Sequence, residues 1–273
     1  MASRALKQFH TFIAAADNRG VVLIRVLEAK GSTPRDRDAF MLVSANGIYG
    51  TIGGGRLEMD AMDQALAVLD GNKITELELV LGPESGQCCG GRMRVGFERI
   101  AKTETGPIEA LIKEQTSQDP EVWVFGGGHV GRALAQCLIN LPVNVHLVES
   151  RAAELADIAD GITCHLAAMP ESMVDQISPG AAVIVLTHDH GLDFLIVQAA
   201  LDRDDLTLVG MIGSKTKRAT FESQYRKSGG DPARLTRLTC PIGTKIADKR
   251  PSVIAVTVAA QIMAALSDTQ AQN

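Results

Sequence analysis

The segment that most constrains this chain begins at Val122. Val122-Trp123-Val124-Phe125 reads as a buried strand and runs directly into Gly126-Gly127-Gly128-His129-Val130-Gly131. Glycines at 126, 128 and 131 satisfy G-x-G-x-x-G. The first allows a tight turn, the second lets a phosphate approach the backbone, and the third lets a helix pack close to the strand. The helix opening there offers unpaired N–H groups and a partial positive charge to an anion. His129 either donates to that anion or stands exposed at the helix start. The next strand ends at Glu149, 18 residues beyond Gly131, near the usual place of a ribose-binding carboxylate. The same acid could instead cap or solvate a strand end.

From Glu121 onward strands and helices alternate. Strands are expected at 122–125, 143–148, 162–166, 182–186 and 206–209, with the clearest helices at 131–139, 194–201 and 252–266. Such alternation implies a parallel sheet with helices on both faces, a Rossmann-like doubly wound arrangement. The chain has 273 residues, enough for two modest domains. The expected division is an N-terminal α+β domain with glycine- and cysteine-rich loops over 1–105, a linker over 106–120, and the Rossmann-like domain over 121–273. The class is therefore α/β. With 45% hydrophobic residues, a core forms without disulfide staples. The net charge of −5 excludes a generally basic nucleic-acid binder. No apolar run is expected to span a membrane, and the first 16 residues read as an amphipathic helix with Phe9, Phe12 and Ile13 on one face. A cytoplasmic location is the default expectation.

The N-terminal half opens with a strand over 21–27 and a polar loop, Gly31-Ser32-Thr33-Pro34-Arg35-Asp36. Two short strands, 40–43 and 48–52, flank Asn46-Gly47, which suits a type I′ hairpin. Gly53-Gly54-Gly55-Arg56 opens a helix to Leu69 with Met59, Met62, Leu66 and Leu69 at helical spacing. Helix-start N–H groups beside a guanidinium make a second candidate anion site. Glu58 is either a polar contact there or a carboxylate favourably placed in a first helical turn. Strands are expected at 74–81 and 93–97.

Between them lies Gly86-Gln87-Cys88-Cys89-Gly90-Gly91, the most unusual stretch of the chain. Adjacent cysteines cannot both enter one core from a regular strand, and the flanking glycines favour close ligand approach. A thiolate can ligate a soft metal or carry sulfur; the alternative is a small-residue turn with an inert thiol. Cys137 and Cys164 read as core, and Cys240 is open. An odd count of five scattered cysteines argues against a disulfide framework.

Late in the chain, Thr187-His188-Asp189-His190-Gly191-Leu192-Asp193 follows a strand, where open α/β sheets bind ligands. His188, Asp189, His190 and Asp193 read as polar contacts, helix caps or a metal cluster. Lys215, Lys217 and Arg218, after Gly210-Met211-Ile212-Gly213-Ser214, either neutralise a phosphate or form a solvated face.

Together these motifs resemble the XdhC/CoxI family. The resemblance rests on Gly31-Ser32-Thr33-Pro34-Arg35, on Gly50-Thr51-Ile52-Gly53-Gly54-Gly55-Arg56-Leu57-Glu58 and on Gly86–Gly91. It also rests on Phe125–Arg132, Thr187–His190, Gly210–Lys215 and Cys240-Pro241-Ile242-Gly243, so it extends from about residue 20 to 260. It implies an accessory protein, a cofactor-binding chaperone rather than a turnover enzyme, with no catalytic residue. Such a protein binds the molybdenum cofactor, in molybdopterin or dinucleotide form, supports its sulfuration and delivers it to xanthine dehydrogenase or a related molybdenum hydroxylase. Its partners would be a cysteine desulfurase and the molybdenum-binding subunit of the target, with a homodimer as the base-rate state.

The cofactor-binding residues expected are Cys88, Cys89, Gly53, Gly54, Gly55, Arg56, Gly126, Gly128, His129, Gly131, Glu149, His188, Asp189 and His190, with Cys88 and Cys89 also as molybdenum ligands. Two other functions fit parts of the pattern. An NAD(P)-dependent oxidoreductase takes the glycine fingerprint at face value but gives Cys88-Cys89 no work. A non-catalytic nucleotide-sensing assembly factor would bind the target without carrying its cofactor.

Overall fold

A computed structural model describes residues 4–35, 37–80 and 91–270. The chain divides into two compact units, 1–114 and 115–273.

The first unit contains α1 (Arg4–Ala15), β1 (Val21–Lys30), β2 (Phe40–Ser44), β3 (Gly47–Gly50), α2 (Gly55–Leu69), β4 (Glu76–Val80), β5 (Arg92–Ile100) and all but the last turn of α3 (Gly106–Ser117). The strands form one sheet in the order β3-β2-β1-β5-β4, every pair antiparallel. Both faces are covered, which is why β1 carries an unbroken apolar run instead of alternation. Val22, Ile24, Met41 and Val43 pack with α2, while Val21, Leu23, Phe40 and Leu42 pack with Phe9 of α1 and Ile108 and Ile112 of α3. The segment expected as a linker, 106–120, thus holds a helix whose apolar stripe enters this core.

Two local expectations are corrected. Gly47 is the first residue of β3, paired with Ser44, so the hairpin loop is Ala45-Asn46 rather than Asn46-Gly47. The Ser44 hydroxyl donates to Gly47 O and accepts from Asn46 N–H, closing the loop. In α2 the buried stripe is Leu57, Ala61, Ala65, Val68 and Leu69, whereas Met59 and Leu66 are exposed. The alanines let the helix axis approach the sheet closely.

The second unit contains β6 (Glu121–Phe125), α4 (His129–Leu138), β7 (Asn144–Glu149), β8 (Ile162–Leu166), β9 (Ala182–Val185), α5 (His190–Asp202), β10 (Leu208–Met211), α6 (Lys215–Lys227), β11 (Leu238–Thr239) and α7 (Pro251–Gln270). The sheet is parallel throughout, in the order β11-β10-β9-β6-β7-β8. Counted from β6, this is the 3-2-1-4-5-6 order of dinucleotide folds, and the chain reverses direction across the sheet between β6 and β9.

Trp123, Phe125, Val183, Val185 and Val209 face Val197 of α5 and Phe221 of α6. Val122, Val124, Leu147 and Ile184 face Leu134 of α4 and Val258 and Ile262 of α7. Each such side chain taken fully from water contributes about 1.5–3 kcal/mol. Residues 251–268 of α7 are long and apolar enough to cross a membrane by length and composition, contrary to the sequence expectation. Ala255, Val258, Ala259, Ile262 and Leu266 of that stretch are buried in this core.

Candidate functional site

The switch between β6 and β9 opens a cleft of about 490 Å³ at the carboxyl ends of the strands, within the range of ordinary small-molecule sites. Arg151, Lys217 and the imidazoles of His129, His188 and His190 line it, and among the described residues no carboxylate does. Both cations are ion-paired, Arg151 with Glu149 and Glu154 and Lys217 with Asp193, so the lining offers N–H donors rather than uncompensated positive charge.

The three fingerprint glycines have distinct reasons to be glycine. Gly126 sits at φ +120°, and a Cβ there would lie 2.4 Å from Leu186 O. A Cβ on Gly131 would lie 1.8 Å from Gly126 O, so the helix can start against the strand only without one. A Cβ on Gly128 would meet nothing within 4 Å. No atom of the described residues requires glycine at 128, which leaves space over the backbone. Gly128 is also the N-cap of α4 and supplies no side-chain cap, so the first turn keeps donors for an anion.

The neighbouring helix starts differ. Asp189 caps α5, accepting from Gly191 N at 2.6 Å and Leu192 N at 3.0 Å. The Ser214 hydroxyl caps α6, accepting from Lys217 N at 3.1 Å. Asp189 is therefore a cap, while His188 and His190 line the cleft. Among the described residues, no three His, Cys, Asp or Glu side chains are placed to hold a metal ion.

Glu149 departs from the ribose-reading expectation. It is 3% exposed, and its carboxylate accepts from Gly127 N (2.8 Å), Ser150 N (2.8 Å) and Arg151 N (3.1 Å). The Arg151 guanidinium adds a fork through Nε at 3.1 Å and Nη2 at 2.9 Å. Burial alone would raise its pKa, but the Arg151 fork and the Gly127, Arg151 and Ser150 N–H groups bring it down to about 2. Asp193 is fully buried and accepts from Thr187 N, the Thr187 hydroxyl and Lys217 Nζ. Arg218 donates to the carbonyls of Leu238 (2.9 Å), Cys240 (3.2 Å) and Leu235 (3.3 Å). Lys217 and Arg218 thus tie the fold together, which neither sequence option anticipated; Lys215 is exposed.

In the first unit, Gly53, Gly54 and Gly55 take φ of 134°, 77° and 67°. The N–H groups of Ile52 (3.1 Å) and Gly54 (3.0 Å) and the Thr51 hydroxyl turn onto Glu58. Burial raises the Glu58 pKa, and these bonds outweigh it and hold the carboxyl below its ordinary value. The chain's own carboxylate therefore takes donors that sequence reading offered to a ligand, leaving Arg56 exposed beside them.

A Cβ on Gly53 would strike the Pro34 ring at 2.3 Å, and one on Gly91 would lie 2.6 Å from Ser32 O. The loop at 31–34 thus packs against Gly53 and against Gly91. Cys88 and Cys89 lie outside the described residues. Of the other cysteines, Cys240 is buried and Cys137 half-buried, but Cys164 is exposed because β8 is an edge strand.

Sequence reading missed Arg151, although a basic residue two positions after the strand-end acid was a usable signal. It also missed a ring stack of Trp123, His146 and His165, whose members come from three different strands.

Comparison with known proteins agrees with this architecture. Residues 122–262 match the XdhC Rossmann domain, and residues 14–79 match the XdhC and CoxI family. The uncharacterized protein YqeB of Escherichia coli K12 is 29% identical over 252 residues; the match covers 88% of this chain but only 42% of that protein. The molybdenum cofactor insertion chaperone PaoD of the same organism is 23% identical over 274 residues, covering 91% of this chain and 84% of PaoD. A crystal structure described as a xanthine dehydrogenase from Bacillus halodurans shares the fold, with a TM-score of 0.74 at 17% identity, over 98% of this chain and 96% of that one. With residues 122–262 matched to the XdhC Rossmann domain and residues 14–79, which hold the motifs at 31–35 and 50–58, matched to the family's N-terminal part, this chain belongs to the XdhC and CoxI family.

Proposed function

We propose that this chain binds the molybdenum cofactor as cargo and inserts it into a molybdenum hydroxylase of the xanthine dehydrogenase type. One observation carries the reading: a cleft lined by Arg151, Lys217 and three histidines, with no carboxylate among the described lining residues, that opens on the start of α4 at Gly128, which has no side-chain cap. A phosphate ester fits that lining by hydrogen bonding and by space. The match to PaoD, a molybdenum cofactor insertion chaperone, supports the cargo.

In this reading the cofactor phosphate rests on Gly128–Gly131, with Arg151 and His129 beside it. His188 and His190 hold polar groups of the same ligand. Gly53–Gly55 and Arg56 frame the first unit's motif loops, and Cys88 or Cys89 ligates molybdenum or holds it during exchange of an oxo for a sulfido ligand. A cysteine desulfurase supplies the sulfur as a persulfide, a thiol reductant supplies the two electrons that take it to the sulfide level, the displaced oxo leaves as water, and the molybdenum-binding subunit of the target receives the cofactor. The work is done in the cytoplasm by a protein that binds and releases without turnover. An NAD(P)-dependent oxidoreductase is less well supported, because the acid that would read a ribose is already saturated by protein donors.

The test is anaerobic incubation of the purified chain with molybdenum cofactor, followed by desalting and assay of molybdenum and pterin. Near-stoichiometric retention, reduced in a Cys88→Ser/Cys89→Ser variant, is the expected result. Failure of a well-folded chain to retain either component sinks the carrier function. Full retention by the double variant removes the cysteines from it.

A further inference from the structure

We infer that β8 pairs with β8 of a second copy of this chain, edge to edge and antiparallel, about a two-fold axis at Cys164. The pairing does not depend on what the cleft binds. An unpaired edge strand is a template for another chain, and proteins blunt such edges by short length, charge, proline or a covering element.

Of the four sheet edges among the described residues, three are blunted. β11 is two residues long. β4 carries Glu76 and Glu78, in ion pairs with Arg94 and Arg92. β3 has four residues with glycine at both ends, and its Tyr49 hydroxyl donates to Ala5 O of α1. β8 is different. Ile162-Thr163-Cys164-His165-Leu166-Ala167-Ala168-Met169 holds no Lys, Arg, Asp, Glu or Pro, in a chain with 22% charged residues. Thr163 and Cys164 are exposed, and Leu166 and Met169 are each 61% exposed.

The register selects the occupant. Ala167 N donates to Glu149 O at the end of β7. Backbone groups alternate along a strand, so those of Thr163 and His165 also face β7, and those of Ile162, Cys164 and Leu166 point away from the sheet. This outward set is symmetric about Cys164, and an isologous interface must be self-complementary. A two-fold axis there sets Cys164 opposite Cys164 of the second copy, Ile162 opposite Leu166, and Thr163 opposite His165. Each outward N–H meets a carbonyl. Apolar side chains meet on one face of the ribbon and polar ones on the other. An axis centred between two residues would instead set outward-pointing groups against inward-pointing ones. The antiparallel join makes one sheet of two and sets the two clefts at its opposite margins, because each cleft lies at the carboxyl ends of its own strands.

Sedimentation velocity of the full chain over a range of concentrations measures the dimer. In a Cys88→Ser/Cys89→Ser background, a short bismaleimide should join Cys164 to Cys164, since directly opposed residues of a hydrogen-bonded pair have Cα atoms about 5.5 Å apart. Peptide mass spectrometry identifies the link. Leu166→Lys puts a charge on the edge, and Cys164→Pro removes an outward N–H while sparing the bonds to β7. Each should weaken dimerisation by about tenfold or more. Circular dichroism checks that both fold, and if the proline variant does not, Leu166→Lys decides alone.

A chain that is monomeric at every concentration overturns the inference. So does a dimer that ignores the edge variants and yields no Cys164–Cys164 link. A monomer that captures the target's molybdenum-binding subunit, and loses it in Leu166→Lys, gives the edge to that subunit and overturns self-pairing.

Discussion

The indole of Trp123 lies flat against the imidazole of His146, with ring centroids 4.2 Å apart and planes 14° from parallel. His146 Nδ1 in turn lies 3.0 Å from His165 Nε2, a bond that requires at least one ring to be neutral. Burial pushes both imidazoles below their ordinary value of 6.5, against the opposing pull of Glu121. As the pH falls below 6.5 the unfolded chain takes up protons that the folded one refuses, so stability declines in that direction. Trp123 is the sole tryptophan, so its fluorescence reports this stack alone. Emission of the native protein should titrate with a midpoint below 6.5, and replacing both His146 and His165 by Phe should remove the titration. A midpoint at or above 6.5 would contradict the buried neutral pair.

Beneath the cleft, Lys217 and Asp193 form an ion pair in which the carboxylate is fully buried. Lys217→Met leaves that charge with the two donors of Thr187 and with the His190 ring 4.0 Å away, and should cost about 3–5 kcal/mol. Asp193→Asn combined with Lys217→Met should recover most of the loss, because the buried charge is gone. Urea unfolding midpoints for the single variants and the double variant decide it. Additive losses would mean that the two residues do not act as a pair.

Glu149 gives a pH signature of opposite origin. Its carboxyl is held at about 2 instead of its ordinary 4.5. A depressed acid stabilises the fold fully above 4.5 and loses that contribution as the pH falls toward 2. The whole difference is on the order of 3 kcal/mol. Glu149→Gln should therefore be destabilised at pH 7 and approach the parent chain in acid. Stability measured at both ends of that window tests it, and a constant gap between the two proteins would refute it.

Much of this arrangement was legible before any coordinates, for a physical reason. Gly126, Gly128 and Gly131 act through backbone geometry within six residues, so spacing alone carries their meaning. Alternation of strand and helix likewise implied the parallel sheet and placed His188 and His190 at its carboxyl edge. What stayed hidden depended on partners. In α2, Met59 and Leu66 carry more apolar weight than Ala61 and Ala65, yet the alanines are buried because the sheet lies too close for larger side chains. Cys164 reads as core until β8 proves to be the edge strand. Glu149 looks free until Arg151 folds back on it. The glycine run at 53–55 resembles an anion seat until Glu58 occupies its donors.

The glycine fingerprint allows structure and ligand binding to be separated by two conservative changes. Gly131→Ala puts a methyl 1.8 Å from Gly126 O, an overlap with backbone that no rotamer relieves. It should cost on the order of 3 kcal/mol and lower the unfolding midpoint whether or not ligand is present. Gly128→Ala adds the same methyl where nothing lies within 4 Å, at φ −67° and ψ −173°, a conformation open to any L residue. Its stability should stay within about 1 kcal/mol of the parent. The methyl would nevertheless stand over the first turn of α4, where the proposed phosphate approaches, so cofactor retention should fall by about tenfold or more. Thermal unfolding and retained molybdenum, measured on the same two variants, give the answer together. If Gly128→Ala keeps full retention, the ligand does not rest on this loop, whatever else the cleft binds.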